Sequence, residues 1–84
     1  MFSIQWAKKA LKQLVRFPAD DKKRISEAVD ELASWPKCRD VKALKNQPFP
    51  YRLRVGRYRV FFKVKTGIRV IFIEEVKKRN ERTY

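Results

Sequence analysis

Histidine is missing from the sequence, and cysteine occurs once, at Cys38. A chain with no imidazole and one thiol lacks the donors of a zinc or iron centre, so neither a metal nor any other cofactor is expected. An internal disulfide is ruled out, which points to a reducing cytoplasm. No apolar run approaches the roughly 18 residues that span a bilayer. Met1 to Trp6 lead straight into a charged, patterned segment and not into a signal peptide, so no membrane partner is expected. Repeats and low-complexity stretches are absent too. Acidic residues are scarce: 9 Asp and Glu stand against 22 Lys and Arg, a formal net charge of +13. What is left is 84 residues, 44% hydrophobic, enough for one domain over residues 1–84 with a small core.

That charge calls for a polyanionic partner, and it is uneven. Residues 1–50 hold 11 basic and 6 acidic side chains, while residues 51–84 hold 11 basic and 3 acidic. The pattern of apolar residues divides the chain in the same way. Phe2, Ile4 and Trp6 alternate with polar residues and read as a strand. Ala7, Ala10, Leu11, Leu14 and Val15 follow a helical period, which Phe17-Pro18 ends. A second helix is expected from about Pro18, with Asp20 and Asp21 at the positive end of its dipole and Ile25, Ala28, Val29 and Leu32 as its buried stripe. Trp35 extends that stripe and Pro36 closes it. Residues 37–50 read as a loop. From Tyr51 the period becomes two. Tyr51, Leu53 and Val55 point inward on one strand, and Tyr58, Val60, Phe62 and Val64 on the next. Ile68 to Val76 is continuous enough to sit in the middle of a sheet. The expected class is α+β, ordered β-α-α-β-β-β, with an antiparallel sheet of three to four strands and both helices on one face.

The same alternation turns Arg52, Arg54 and Arg59 toward the opposite face, with Phe61 beside them. Arg57 sits at the turn between the two strands, assigned to neither face. Arginine binds phosphate in a planar, bidentate manner and keeps its charge. An exposed aromatic can stack a base. Two edge arginines would serve to keep a sheet from aggregating. Three on one face, with a basic tail of Lys77, Lys78, Arg79 and Arg82 and an aromatic within reach, fit a phosphate clamp better.

The run Tyr51-Arg-Leu-Arg-Val-Gly-Arg-Tyr-Arg-Val-Phe-Phe, with Val76-Lys-Lys-Arg-Asn-Glu-Arg-Thr-Tyr84 at the other end, resembles the RelE branch of the RelE/ParE toxin superfamily over essentially the whole chain. The resemblance implies a RelE-like fold and a toxin that enters the ribosomal A site and cuts the mRNA codon there without a metal. It also implies a cognate antitoxin protein that wraps or displaces the basic face. Residue by residue, it implies roles for Arg52 and Arg54 on the first strand after the loop, for Arg59 after the Gly-x-Tyr step, for Arg79 after the last strand and for Tyr84 near the end. Lys78 stands where several relatives carry a histidine. Arg52 and Arg54 stand where some carry lysine.

The chemistry such a site must perform is attack by an RNA 2′-hydroxyl on the adjacent phosphate. It needs a base at the 2′-oxygen, charge stabilisation on the phosphoryl oxygens and an acid for the leaving oxygen. Without histidine or metal, cations must supply the electrostatics and hold the strand in line. Arg59 is assigned to the scissile phosphate, with Arg54 and Arg79 as flanking charge. Tyr84 stacks on or orients the nucleotide, or takes part in proton transfer, and Lys78 is the candidate acid. Glu75 is a weaker candidate base, expected rather to pair with a neighbouring arginine. Arg52, Arg57, Phe61, Lys77 and Arg82 would bind RNA without taking part in the chemistry. Two other readings share these residues: a ParE-like inhibitor of DNA gyrase, and an RNA-binding module with no catalysis.

Overall fold

The computed structural model describes residues 1–78. The chain runs β1 (Ser3–Trp6), α1 (Lys8–Leu14), α2 (Ala19–Asp30), a 3₁₀ turn over Glu31–Ser34, β2 (Val41–Ala43), β3 (Tyr51–Val55), β4 (Tyr58–Lys65) and β5 (Val70–Lys78). One five-stranded sheet is formed in the order β1-β5-β4-β3-β2. No helix among the described residues is long and apolar enough to cross a membrane.

The helices form where the apolar period is 3.6, and they cover one face of the sheet. Ala10 and Leu14 of α1, Ile25 and Val29 of α2 and Leu32 of the 3₁₀ turn meet Leu53, Val55, Tyr58, Val60, Phe62, Ile71, Ile73 and Val76 in a single core. Each fully buried aliphatic or aromatic side chain there contributes roughly 1.5–3 kcal/mol relative to exposure. Trp35 closes the core at one end, its ring 4.8 Å from Tyr51 and 5.8 Å from Phe62. Of the residues expected inside on periodicity, Ile25, Val29, Leu32, Leu53, Val60 and Phe62 are buried; of the pair Ile71 or Phe72 it is Ile71 that is buried, and Tyr51 and Val64 are half-buried.

The sheet differs from the expectation in three respects. It is mixed, because β1 pairs in parallel with β5, Ser3 opposite Val70 through Trp6 opposite Ile73. The two helices form a connection long enough to carry the chain across the sheet face, which a parallel pairing needs and a hairpin cannot provide. It has a fifth strand: Val41–Ala43, read from sequence as loop, pairs with Leu53–Tyr51. Finally, β5 begins at Val70 and not at Ile68. Arg69 takes a left-handed backbone (φ 55°) that ends the turn, and Ile68 is left exposed.

A bulge in β5 matters most for function. Phe61 lies opposite Glu75 and Phe62 opposite Ile73, so Glu74 is an extra residue in the ladder. A one-residue insertion exchanges the faces of everything beyond it. Past the bulge Val76 returns to the core, and Lys77 comes opposite Arg59.

Candidate nucleic-acid interface

The strands β3, β4 and β5 present two rungs on the face away from the helices. In the first, Arg54 lies opposite Arg59, and Arg59 opposite Lys77. In the second, Lys42, Arg52, Phe61 and Glu75 stand in register across β2 to β5. Directly opposed side chains have Cβ atoms about 4.5–5.5 Å apart, and like charges so placed repel. Three cations in one rung therefore cost stability unless an anion comes to them. Arg54 and Lys77 are exposed and Arg59 half-buried, and among the described residues neither Arg54 nor Arg59 has an ion-pair partner.

The tight β3–β4 connection sets this register. Gly56 takes φ 56° at the first of two turn positions, which a side chain would strain and which suits the twist of a two-residue hairpin. Phe61, read from sequence as an outward aromatic, is half-buried with its ring 5.7 Å from Phe49. Arg52 is half-buried, and its Nε has no hydrogen-bond partner among the described residues.

Glu75 is 7% exposed and stands beside the cation rung. Its Oε1 lies 3.5 Å from Lys9 Nζ and 3.4 Å from Lys77 Nζ. The expected arginine partner is thus replaced by two lysines. The reason is the path of α1, which runs along β5 beyond the end of β1 and brings Lys9 over the strand. Gln13 of the same helix accepts a hydrogen bond from the Val76 N–H at 2.7 Å, closing an edge that β1 no longer covers. The carboxylate anchors Lys77 at one end of the cation rung.

Lys77 and Lys78 fall on opposite faces. Lys78 is opposite Tyr58 and lines a cavity on the helix side with Asp21, Arg24, Gly56 and Arg57. Lys78 is expected from sequence to act beside Arg59, but the structure brings Lys77 opposite Arg59 and sets Lys78 on the helix side; Arg57, assigned to neither face from sequence, lines the same cavity as Lys78. Arg79, Arg82 and Tyr84 lie outside the described residues. Reading the sequence alone missed Lys42, because the strand carrying it is three residues long, and Arg24, which reads as an ordinary helix-surface charge.

Among the described residues two groups have displaced titrations. The Tyr58 hydroxyl donates to Asp21 Oδ2 at 2.7 Å, and this bond, then burial, raises its pKa above the ordinary tyrosine value. Burial, then the charge of Glu31, pushes the Cys38 thiol up from its ordinary value, which disfavours the reactive thiolate. The described site therefore offers fixed positive charge, a carboxylate and an aromatic floor.

Comparison with known proteins agrees with this architecture. Residues 4–83 match the model of the family described as ParE toxin of type II toxin–antitoxin system, parDE. A Methanocaldococcus jannaschii protein that carries the name RelE1 is 31% identical over 81 residues, covering 93% of this chain and 90% of that protein. A chain of the archaeal RelE–RelB complex from Pyrococcus horikoshii superposes with a TM-score of 0.81 at 30% identity, covering 96% of this chain and 98% of that one. The isolated Escherichia coli RelE toxin shares the fold, with a TM-score of 0.80 at 18% identity over 99% of this chain and 89% of that one. The chain belongs to the RelE/ParE superfamily of type II toxin–antitoxin toxins.

Proposed function

We propose that this toxin is a ribosome-dependent mRNA endoribonuclease whose open sheet face binds the codon in the A site and promotes attack by the 2′-hydroxyl on the next phosphate. The observation that carries the reading is the rung Arg54–Arg59–Lys77, three cations held side by side against their own repulsion. Arg59, central and half-buried, is assigned to the scissile phosphate, where an arginine stabilises the charge that builds up on the phosphoryl oxygens. Arg54 and Lys77 flank it, with Arg52 and Phe61 in the adjoining rung binding the strand. From the sequence, Arg79 adds charge and Tyr84 orients the nucleotide or moves a proton. Lys77, opposite Arg59 on the open face, takes in this reading the place given to Lys78, which stands opposite Tyr58 on the helix side.

A cognate antitoxin is part of the proposal. Relatives of this fold were solved as RelE–RelB complexes from Pyrococcus horikoshii and Methanococcus jannaschii. A net charge of +13 would otherwise hold RNA without discrimination. The site of action is the cytoplasm, where translated mRNA is found.

The matched family model favours a second reading, in which the protein inhibits DNA gyrase by binding and cuts nothing. Primer extension on translated mRNA separates the two. Breaks within codons, present only with the protein, are the expected result. Loss of supercoiling activity with intact mRNA would establish the gyrase reading instead.

A further inference from the structure

Behind the β3–β4 turn, on the side of the sheet that α2 covers, lies a cavity of about 300 Å³ that the open face does not use. Arg24 comes to it from α2, Arg57 from the turn and Lys78 from β5, together with one carboxylate, Asp21. Among the described residues none of these four forms an ion pair. The carboxylate is engaged instead by the Tyr58 hydroxyl at 2.7 Å. Each cation is fixed by a different element. A terminal guanidinium nitrogen of Arg24 sits over the turn, 3.7 Å from where a Cβ on Gly56 would stand, and Lys78 is held opposite Tyr58 in the ladder. Charges that only keep a sheet edge from aggregating need to face water and have no need of a shared cavity. Three donors converging from separate elements match an anion with oxygens on several sides, and two of them are forked guanidiniums.

We infer that this cavity is a second phosphate subsite, which holds a backbone phosphate of the same RNA strand whose reactive region crosses the open face. The inference rests on the RNA-binding reading above. The register supplies the continuity: Arg59–Lys77 and Tyr58–Lys78 are adjacent rungs at one end of the sheet, facing opposite sides. A strand leaving the cation rung reaches the second set by passing the tip of the two-residue turn. Binding there positions the strand and takes no part in bond breaking.

The test is the salt dependence of binding of the full chain to a single-stranded RNA oligonucleotide made uncleavable with 2′-O-methyl groups. Wild type is compared with Arg24→Gln, Arg59→Gln and, as a charge control, Lys45→Gln. Arg24 and Lys45 are both exposed, so neither substitution disturbs the core. Each phosphate contact contributes about 0.7 to the slope of log affinity against log salt for a single strand. Arg24→Gln is expected to weaken binding and lower that slope by about 0.7, so that the loss of affinity between about 50 and 200 mM salt shrinks by about 2.6-fold. Lys45→Gln is expected to leave the slope unchanged. A wild-type slope for Arg24→Gln, or an equal drop for Lys45→Gln, overturns the subsite. A reduced slope for Arg24→Gln with an unchanged one for Arg59→Gln keeps the subsite and removes the open-face reading.

Discussion

At the scale of single residues, the site is centred on two opposed arginines that repel one another. Arg54 and Arg59 oppose one another across β3 and β4, and Lys77 extends the row. Replacing exposed Arg54 with Thr, a good strand former, removes a like-charge pair worth roughly 0.2–1 kcal/mol. The thermal midpoint of Arg54→Thr is expected to lie above that of wild type by a few degrees at low salt, with the gain shrinking as salt screens the repulsion. A lower midpoint at low salt would mean that the row is not strained. Tyr58 is the opposite case, a polar residue inside the core whose hydroxyl is spoken for by Asp21. Tyr58→Phe is expected to lower stability by about 1–2 kcal/mol in urea unfolding. Its pH dependence has a definite sign. The folded pKa is raised, so the contribution is fully present below the unfolded tyrosine pKa of about 10 and is lost as pH rises through the folded value. The gap in urea midpoint between wild type and Tyr58→Phe should therefore be constant near neutrality and close above about pH 10.

At the scale of elements, the contrast between the helical and the two-residue period made much of the fold legible from sequence. Leu53 and Val55 against Arg52 and Arg54, or Val60 and Phe62 against Arg59 and Phe61, leave no other way to fold a strand with one wet face. Three features were not legible because they depend on partners distant in sequence. The three residues of β2 carry too little pattern to announce a strand without β3 beside them. The parallel pairing of β1 with β5 follows from the route of the helical connection. The bulge at Glu74 is invisible in a run of strand-forming residues, yet it puts Lys77 in place of Val76 opposite Arg59 and turns Lys78 to the helix side. Of the candidate site, the arginine rungs could thus be read in advance, and the division of the tail lysines between two faces could not. The edge of β5 supplies a test of how α1 is held. Gln13→Ala leaves the Val76 N–H without its acceptor, at an expected cost of about 1–3 kcal/mol in urea unfolding. Amide exchange at Val76 should accelerate more than at Ile71 or Ile73, which β1 still covers. Unchanged exchange at Val76 would show that the side-chain bond does not seal this edge.

At the scale of the whole molecule, a small core carries a surface dominated by one sign of charge, and basic side chains stand both on the open face of the β3–β4 hairpin and around the cavity behind its turn. Such a molecule should not be tolerated free in a cell. Expression alone is expected to arrest growth, and co-expression with the antitoxin from its own operon to restore growth and yield a co-purifying complex. Harmless expression of the folded toxin alone would argue against this. The central claim is that the cation rung on the open face accelerates cleavage of mRNA, and single-turnover cleavage on programmed ribosomes tests it directly. Wild type should cut within the A-site codon and leave a cyclic phosphate. Arg59→Ala, shown by circular dichroism and urea unfolding to be folded, should be slower by about two to three decades, the effect of losing one preorganised cation worth on the order of 3–4 kcal/mol. Cleavage by folded Arg59→Ala at close to the wild-type rate, or no cleavage by wild type bound to the ribosome, would contradict the claim.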